Sequence, residues 1–277
     1  AYAVHEAVAV AAASAIAAPA ARAAALRAVL EASAFVGWLG PQYGVELSAL
    51  ADGRVRVRGR VAMALAGSGP MIVAAQGPQG AALVRVDAPG ARAKASAGLR
   101  GAGWVGVELD ASLPADACWL QGDAAQRTIA TIRARLSTLA GALACGVARA
   151  TVGTAARYAK QREQFGQAIA QFQATQWKLA DGATARDAAW LLVLAAAAAC
   201  DGDTAAAGVR AATAQLAACR AAVAAAGDAI QIHGGYGYTR EFPVERHYRD
   251  ARAASAIDRD EWALREQLAG RIATRYA

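Results

Sequence analysis

The sequence predicts a mainly α-helical protein with one small β-domain, and three observations lead there. Hydrophobic residues fill 56% of the 277 positions and are mostly alanine, the best helix former and one that leaves little bulk per site. Residues Arg54, Val55, Arg56 and Val57 alternate charged and apolar side chains, the period of a strand with one buried face. Beyond Gly122, the chain reads as long helices joined by short connections. An antiparallel helical bundle reads this way.

Taken in order, residues 1 to about 45 read as helix, broken at Pro19 and ending near Gly37-Trp38-Leu39-Gly40-Pro41. That length suits a helical hairpin better than a domain. Residues 46–122 read as a small antiparallel β-domain: "RVRVRGRVAMAL", "MIVAAQ", "AALVRVD" and "WVGVELD", set off by Gly/Pro clusters at Gly67-Ser68-Gly69-Pro70 and Gly77-Pro78. Gly67-Ser68-Gly69 is read as a turn, because neither a strand–loop–helix unit nor a following lysine marks a phosphate loop. Residues 123–277 read as helices at about 123–160, 172–200, 204–232 and 260–275, with a short one near 243–252. Asp203 or Thr204 is the expected N-cap of the third. Alanine faces imply close interhelical approach, and a bundle so poor in large side chains gains from burying surface against another subunit.

Charge and cysteine usage narrow the function classes. The net charge is +7, yet only Lys94, Lys160 and Lys178 are lysines. No compact basic run and no basic–aromatic interleaving marks a nucleic-acid surface, so a solvated basic surface is expected, compatible with a polyanionic cofactor. Cys118, Cys145, Cys200 and Cys219 match no zinc or CxxC spacing and read as small buried hydrophobes in a reducing cytoplasm. His5, His233 and His247 lack ligand spacing, so no metal is expected. The first twenty residues contain His5 and Glu6 and have no basic start. Ala188 to Cys200 is an uncharged run closed by Asp187 and Asp201, too short to span a bilayer. A soluble, cytoplasmic protein without a membrane span is expected.

Two motifs flank the bundle. In "RYAKQREQFGQAIAQFQATQWKLAD", residues 157–181, Arg162 stands where the first long helix stops, followed by Phe165 and Gly166. A guanidinium is a planar, permanently charged fork suited to a pyrophosphate, and Phe165 offers a face for stacking; a surface arginine and a core plug are the plainer alternatives. Gln173 opens the next helix with an amide able to meet a ribose or adenine. The second motif is "GDAIQIHGGYGYTREFPVERHYRDAR". Gly234 and Gly235 can end a helix in a left-handed cap. One glycine suffices for that, and a Gly-Gly-x-Gly run also clears side chains from backbone that a ligand can approach, with Gln231 just inside the helix.

In this order and spacing the motifs closely resemble the C-terminal helical domain of acyl-CoA dehydrogenases. The resemblance covers roughly residues 123–277, is weaker over 46–122, where "VRVRGR" and "GLRGAGWVGVELD" look like the family's β-domain, and is faint before that. It implies an N-terminal helical domain, a middle β-domain and a C-terminal four-helix bundle, with FAD lying across a dimer interface. It further implies that Arg162, Phe165 and Gly166, then Gln231, Gly234 and Gly235, hold the pyrophosphate and adenine end of a neighbour's FAD, with Gln173 a further contact. The implied chemistry is α,β-dehydrogenation of an acyl-CoA thioester: a carboxylate takes the α-proton, and the β-hydrogen leaves as hydride to the flavin. An electron-transfer flavoprotein is the family's usual acceptor.

Three departures qualify that picture. The chain is shorter than a typical member, with the loss at the front. The family's flavin-cradling Thr-Glu-Pro and Gly-Ser-Asp stretch has no counterpart, since "GPQYGVELSALADG" runs straight into "RVRVRGR". The usual base, a glutamate eight residues beyond the Arg-Asp pair, falls at Asp258 in "AIDRDEW", one methylene shorter, in a setting where such a shortfall costs about a hundredfold. Asp258 is therefore read either as a catalytic base or as a solvated loop or N-cap residue. The alternative base position on the first bundle helix, Thr131 to Ser137, holds no carboxylate. The expected role is the short, degenerate subunit of a heteromeric dehydrogenase acting on bulky, steroid-side-chain-like acyl-CoA esters beside a full-length partner. A self-sufficient homo-oligomer using Asp258 and a non-catalytic scaffold are the competing readings.

Overall fold

The computed structural model describes residues 5–30, 37–65, 69–87, 90–202 and 206–276. The chain divides into two compact units, Ala1–Ser96 with Arg100–Leu136, and Ala97–Leu99 with Ser137–Ala277. The expected turn at Gly67-Ser68 and the expected N-cap at Asp203 or Thr204 lie outside the described residues.

In the first unit, a π-helical turn His5–Val10 leads into α1 (Ala11–Ser14) and α2 (Pro19–Leu30). The helical segment breaks just before Pro19, as expected. Pro19 opens α2 at the first helical position, where its missing N–H has no partner to lose. Gly37–Leu39, expected to close the helical segment, is strand β1. The remaining strands are β2 (Val45–Ala49), β3 (Val55–Leu65), β4 (Met71–Gly77), β5 (Gly80–Val86), β6 (Arg92–Ala93), β7 (Trp104–Leu113) and β8 (Cys118–Gln121). They form one sheet in the order β6-β7-β3-β2-β4-β5-β8, with β1 also on β4.

The sheet is mixed rather than antiparallel: β1 and β2 both run parallel to β4, at Leu39↔Val73 and Val45↔Ala75. Between them the chain turns only through the 3-10 segment Pro41–Tyr43. Alternation along β4 sends Met71, Val73 and Ala75 into one core with Val57, Val84 and Val107, and Ile72 and Ala74 into another with Trp38, Ile129 and Ile132. A strand buried on both faces carries apolar residues at consecutive positions, and β4 does.

The second unit is the bundle. Its helices are α3 (Gly122–Gln161, whose first part belongs to the other unit), α4 (Gln173–Asp201), α5 (Ala207–His233), α6 (Val244–Ala254) and α7 (Glu261–Tyr276). Small residues set the spacing. An added Cβ at Gly141 would lie 3.1 Å from Val193 and 3.5 Å from Ala214, and one at Gly182 would lie 3.1 Å from Val152 and 3.5 Å from Ala225. Bulk at either glycine would push α3, α4 and α5 apart.

The uncharged run 188–200 belongs to α4. By length and composition alone, α3 and α4 are each long and apolar enough to cross a membrane. Trp177, Trp190, Leu191 and Leu194 of α4 are exposed.

Candidate functional site

The Arg162 segment leaves α3 through a tight corner. The Arg162 N–H closes the last helical turn on the Tyr158 carbonyl at 2.9 Å, and the Arg162 carbonyl accepts from the Ile169 N–H at 2.8 Å. Between these anchors, β9 (Glu163–Gln164) pairs antiparallel with β10 (Gln167–Ala168). The two residues between them are Phe165 at φ 53° and Gly166 at φ 76°, and a two-residue hairpin with both central φ positive is a type I′ turn. Glycine takes that conformation freely. Phenylalanine takes it at a cost of about 1–2 kcal/mol, and here its ring is 94% exposed. Neither the strain nor the exposure helps this chain fold, so both point to a use outside it.

The glycines after α5 have separate causes. Gly234 stands at φ 60°, ψ −136°, a positive-φ region open to glycine but not the left-handed cap expected there. Gly237 is required by packing, since an added Cβ would lie 2.5 Å from the Ile230 carbonyl oxygen and 2.9 Å from its Cα. Gly235 has neither reason: its φ is not positive, and an added Cβ meets nothing within 4 Å.

These segments converge on a cavity of about 510 Å3 lined by Tyr158, Arg162, Gln231, His233, Gly234 and Gly235, among others. The guanidinium of Arg162 has no hydrogen-bond or ion-pair partner among the described residues. Phe165, Gly166 and Gln173 fall outside the lining. Lys178 and Asp228 form an ion pair that ties the start of α4 to the end of α5, fixing the stretches that carry Gln173 and Gln231.

His233 and Tyr158 build the wall. Their rings stack at 4.0 Å with 20° between planes, and Phe242 meets both edge-on or tilted. His233 is 2% exposed, and burial lowers its pKa, so it is held neutral. Its Nδ1 lies 2.7 Å from the Ala229 carbonyl and donates to it, leaving Nε2 without a partner among the described residues. Sequence reasoning set His233 aside as a non-ligand and passed over Tyr158. The four-residue spacing to Arg162, one helical turn, is the signal that could have found it.

Asp258 lies elsewhere. It sits at φ 58° in the turn before α7, and its side chain is only 1% exposed, 3.5 Å from the Arg259 guanidinium. Gln215 donates to the Ile257 carbonyl at 2.9 Å, and Arg259 donates to Ser137 Oγ at 2.6 Å and to Gln267. Asp258 is thus neither solvated nor the N-cap. Asp260 caps α7, accepting from the Ala263 N–H at 2.9 Å. On α6, Arg249 grips Glu245 through two hydrogen bonds, and Asp250 accepts from the Leu99 N–H at 2.7 Å.

Comparison with known proteins gives a consistent result. Residues 124–272 match the family model described as "Acyl-CoA dehydrogenase, C-terminal domain". The chain is 44% identical over 133 residues to a 3-sulfinopropanoyl-CoA desulfinase of Paraburkholderia xenovorans (strain LB400), covering 48% of this chain and 34% of that protein. It is 45% identical over 127 residues to benzylmalonyl-CoA dehydrogenase of Aromatoleum aromaticum, covering 46% and 32%. The matched part is about a third of each relative's length. Among solved structures, butyryl-CoA dehydrogenase from Megasphaera elsdenii superposes with a TM-score of 0.82 at 25% identity, covering 98% of this chain and 76% of that one. A chain of the ChsE4-ChsE5 complex from Mycobacterium tuberculosis superposes at 0.74 and 27% identity, covering 90% and 69%.

Proposed function

Because the chain belongs to the acyl-CoA dehydrogenase family, we propose that it is a subunit of an enzyme for α,β-dehydrogenation of an acyl-CoA thioester, contributing the pyrophosphate and adenine site for FAD at a subunit interface. The family and its structural neighbours are FAD-dependent flavoproteins. The carrying observation is the cavity at the end of α3 and α5: an unpartnered guanidinium faces glycines, one of which, Gly235, has no reason within the chain to be glycine.

The residues present fit the phosphate end of that cofactor. Arg162 offers paired N–H donors to a diphosphate. Gly234 and Gly235 leave the backbone open to it, and His233, held neutral by burial against the Tyr158 ring, adds no charge of its own. Gln231 and Gln173 would offer amides to sugar or base, and Phe165, strained and exposed at its hairpin tip, would offer an aromatic face. FAD, when bound, supplies the acceptor for the two electrons leaving the substrate. Toward its ring end this chain offers little: the β1–β2 connection is Gly40-Pro41-Gln42-Tyr43-Gly44, without a carboxylate or an aliphatic hydroxyl.

On this reading the base belongs to another subunit. Asp258 is buried against Arg259, and residues 131–137 hold no carboxylate. A full-length family member as partner would supply base, ring contacts and acyl pocket, and would cover the exposed tryptophans and leucines of α4, which is why no membrane is invoked for that helix. The likeness to a chain of the ChsE4-ChsE5 complex supports a heteromer, and a bulky, steroid-side-chain-like acyl group suits it. An electron-transfer flavoprotein as acceptor and a cytoplasmic location, supported by four free cysteines, complete the reading. Arg162→Ala co-expressed with the partner should leave the complex depleted of FAD. Unchanged flavin content would favour a scaffold, and stoichiometric flavin in this chain purified alone would favour self-sufficiency.

A further inference from the structure

The β-unit carries a second concavity, of about 370 Å3, lined by Arg60 of β3, Arg92 of β6, Lys94, and Glu108 of β7 around Gly106. Strand alternation puts it on the side away from the core, since Val105, Val107 and Leu109 of β7 point inward. Arg60 stands opposite Glu108 in the β3–β7 register, and Arg92 opposite Gly106 in β6–β7.

Two neighbouring arginines of this region are paired. Arg56 holds Asp110 by two hydrogen bonds of 2.7 and 2.8 Å, and Arg54 reaches the Ser112 carbonyl at 2.5 Å. At the concavity, none of the side chains of Arg60, Arg92, Lys94 and Glu108 has a hydrogen-bond or ion-pair partner among the described residues. Cations on an edge strand ordinarily stand in water and discourage pairing with other chains. Lys94 departs from that pattern, because its stem is folded over the sheet. A Cβ at position 106 would lie 2.5 Å from Lys94 Cε and 3.1 Å from the Ala62 carbonyl oxygen. Glycine inside a strand costs entropy and packing and often marks a close approach. Here it makes room for the lysine. Between Val61 and Ala64, beside the concavity, β3 is bulged, a distortion that re-aims side chains.

Three cations facing one carboxylate repel one another until a counter-charge arrives, and a concave wall concentrates their field. Two guanidinium forks and an ammonium group match phosphate oxygens. The geometry points to a binding site for a small phosphorylated anion, a diphosphate or phosphate ester with at least two negative charges. The four charged groups sit in one compact hollow and form no track for a polymer. The site shares no residue with the Arg162 cavity, and it stands whether or not the FAD reading holds.

The test is calorimetric titration of inorganic pyrophosphate into the full chain carrying Arg162→Ala, which removes the other anion candidate. Saturable binding is expected. Adding Arg92→Ala or Lys94→Ala should each weaken it about tenfold or more, the effect of losing a charge-assisted hydrogen bond, and Glu108→Gln should tighten it. Circular dichroism checks that each variant is folded, and Arg92→Lys, expected to keep part of the affinity, serves if an alanine variant is not. No saturable binding, or binding that Arg92→Ala and Lys94→Ala leave unmoved or that Glu108→Gln weakens, overturns the assignment.

Discussion

Replacing Gly235 by alanine should separate folding from cofactor capture. The backbone at Gly235 is not in the positive-φ region, and the new Cβ would meet no atom within 4 Å. Such a change typically stabilises a chain by about 0.4–1 kcal/mol, because alanine loses less freedom on folding. In a protein of this size that raises Tm by roughly 1–4 °C. Gly237→Ala is the contrast: its Cβ would meet the Ile230 backbone at 2.5 Å, neither chain can withdraw cheaply, and a loss of about 1–3 kcal/mol is expected. The methyl at 235 would instead project into the space assigned to the cofactor. A tenfold weaker grip corresponds to about 1.4 kcal/mol. Thermal unfolding of the chain reads the first effect, and visible flavin absorbance per co-expressed complex, after dilution and gel filtration, reads the second. A Gly235→Ala chain as unstable as Gly237→Ala, or one whose complex keeps all its flavin, would refute the reasoning.

Three further expectations follow from the same geometry. Phe165→Gly should relieve about 1 kcal/mol of left-handed strain, raising stability in denaturant melts while lowering flavin retention; a fall in stability would mean the ring supports the hairpin. Asp258→Asn should leave turnover of the complex within a few-fold but cost stability, up to about 3 kcal/mol, by removing the negative charge that faces the buried Arg259 guanidinium. A thousandfold loss of turnover, the scale of a missing general base, would move the active site onto this chain. His233 is neutral because burial lowers its pKa, so the unfolded chain takes up a proton first as pH drops. Stability should be fully present above about pH 6.5 and decline below it, by up to about 1.4 kcal/mol per pH unit for this group. His233→Phe, which keeps a ring against Tyr158, should flatten that acid limb in urea titrations at several pH values, and an unchanged slope would contradict it.

How legible all this was in the sequence depends on how local each cause is. The helices after Gly122 were visible because alanine content and helical spacing act within a few residues, and their observed ends lie within three positions of the expected ones. The strands at 55–65, 71–77, 80–86 and 104–113 announced themselves through alternation and Gly/Pro boundaries. By contrast, Gly37–Leu39 reads as the tail of an apolar helix and becomes a strand only because Met71–Val73 offers an open edge. That parallel pairing leaves no mark on the three residues themselves. The same holds for the turn at Asp258, whose neighbours Ile257 and Arg259 are held by Gln215 of α5, Ser137 of α3 and Gln267 of α7, the first two distant in sequence. Within the candidate site, residue types and spacing brought Arg162, Gln231, Gly234 and Gly235 into view. The Tyr158–His233 stack stayed hidden because it joins two helices, and only coordinates reveal that Gly234 is set by its positive φ and Gly237 by packing, while Gly235 has neither cause.

The most direct test is a structure of the assembled, FAD-loaded oligomer. The Arg162 guanidinium and the backbone at 234–235 should lie within about 3 Å of the diphosphate oxygens of a cofactor whose ring is seated in the adjoining subunit. A map in which that diphosphate lies elsewhere, with Arg162 facing bulk water, would contradict that placement.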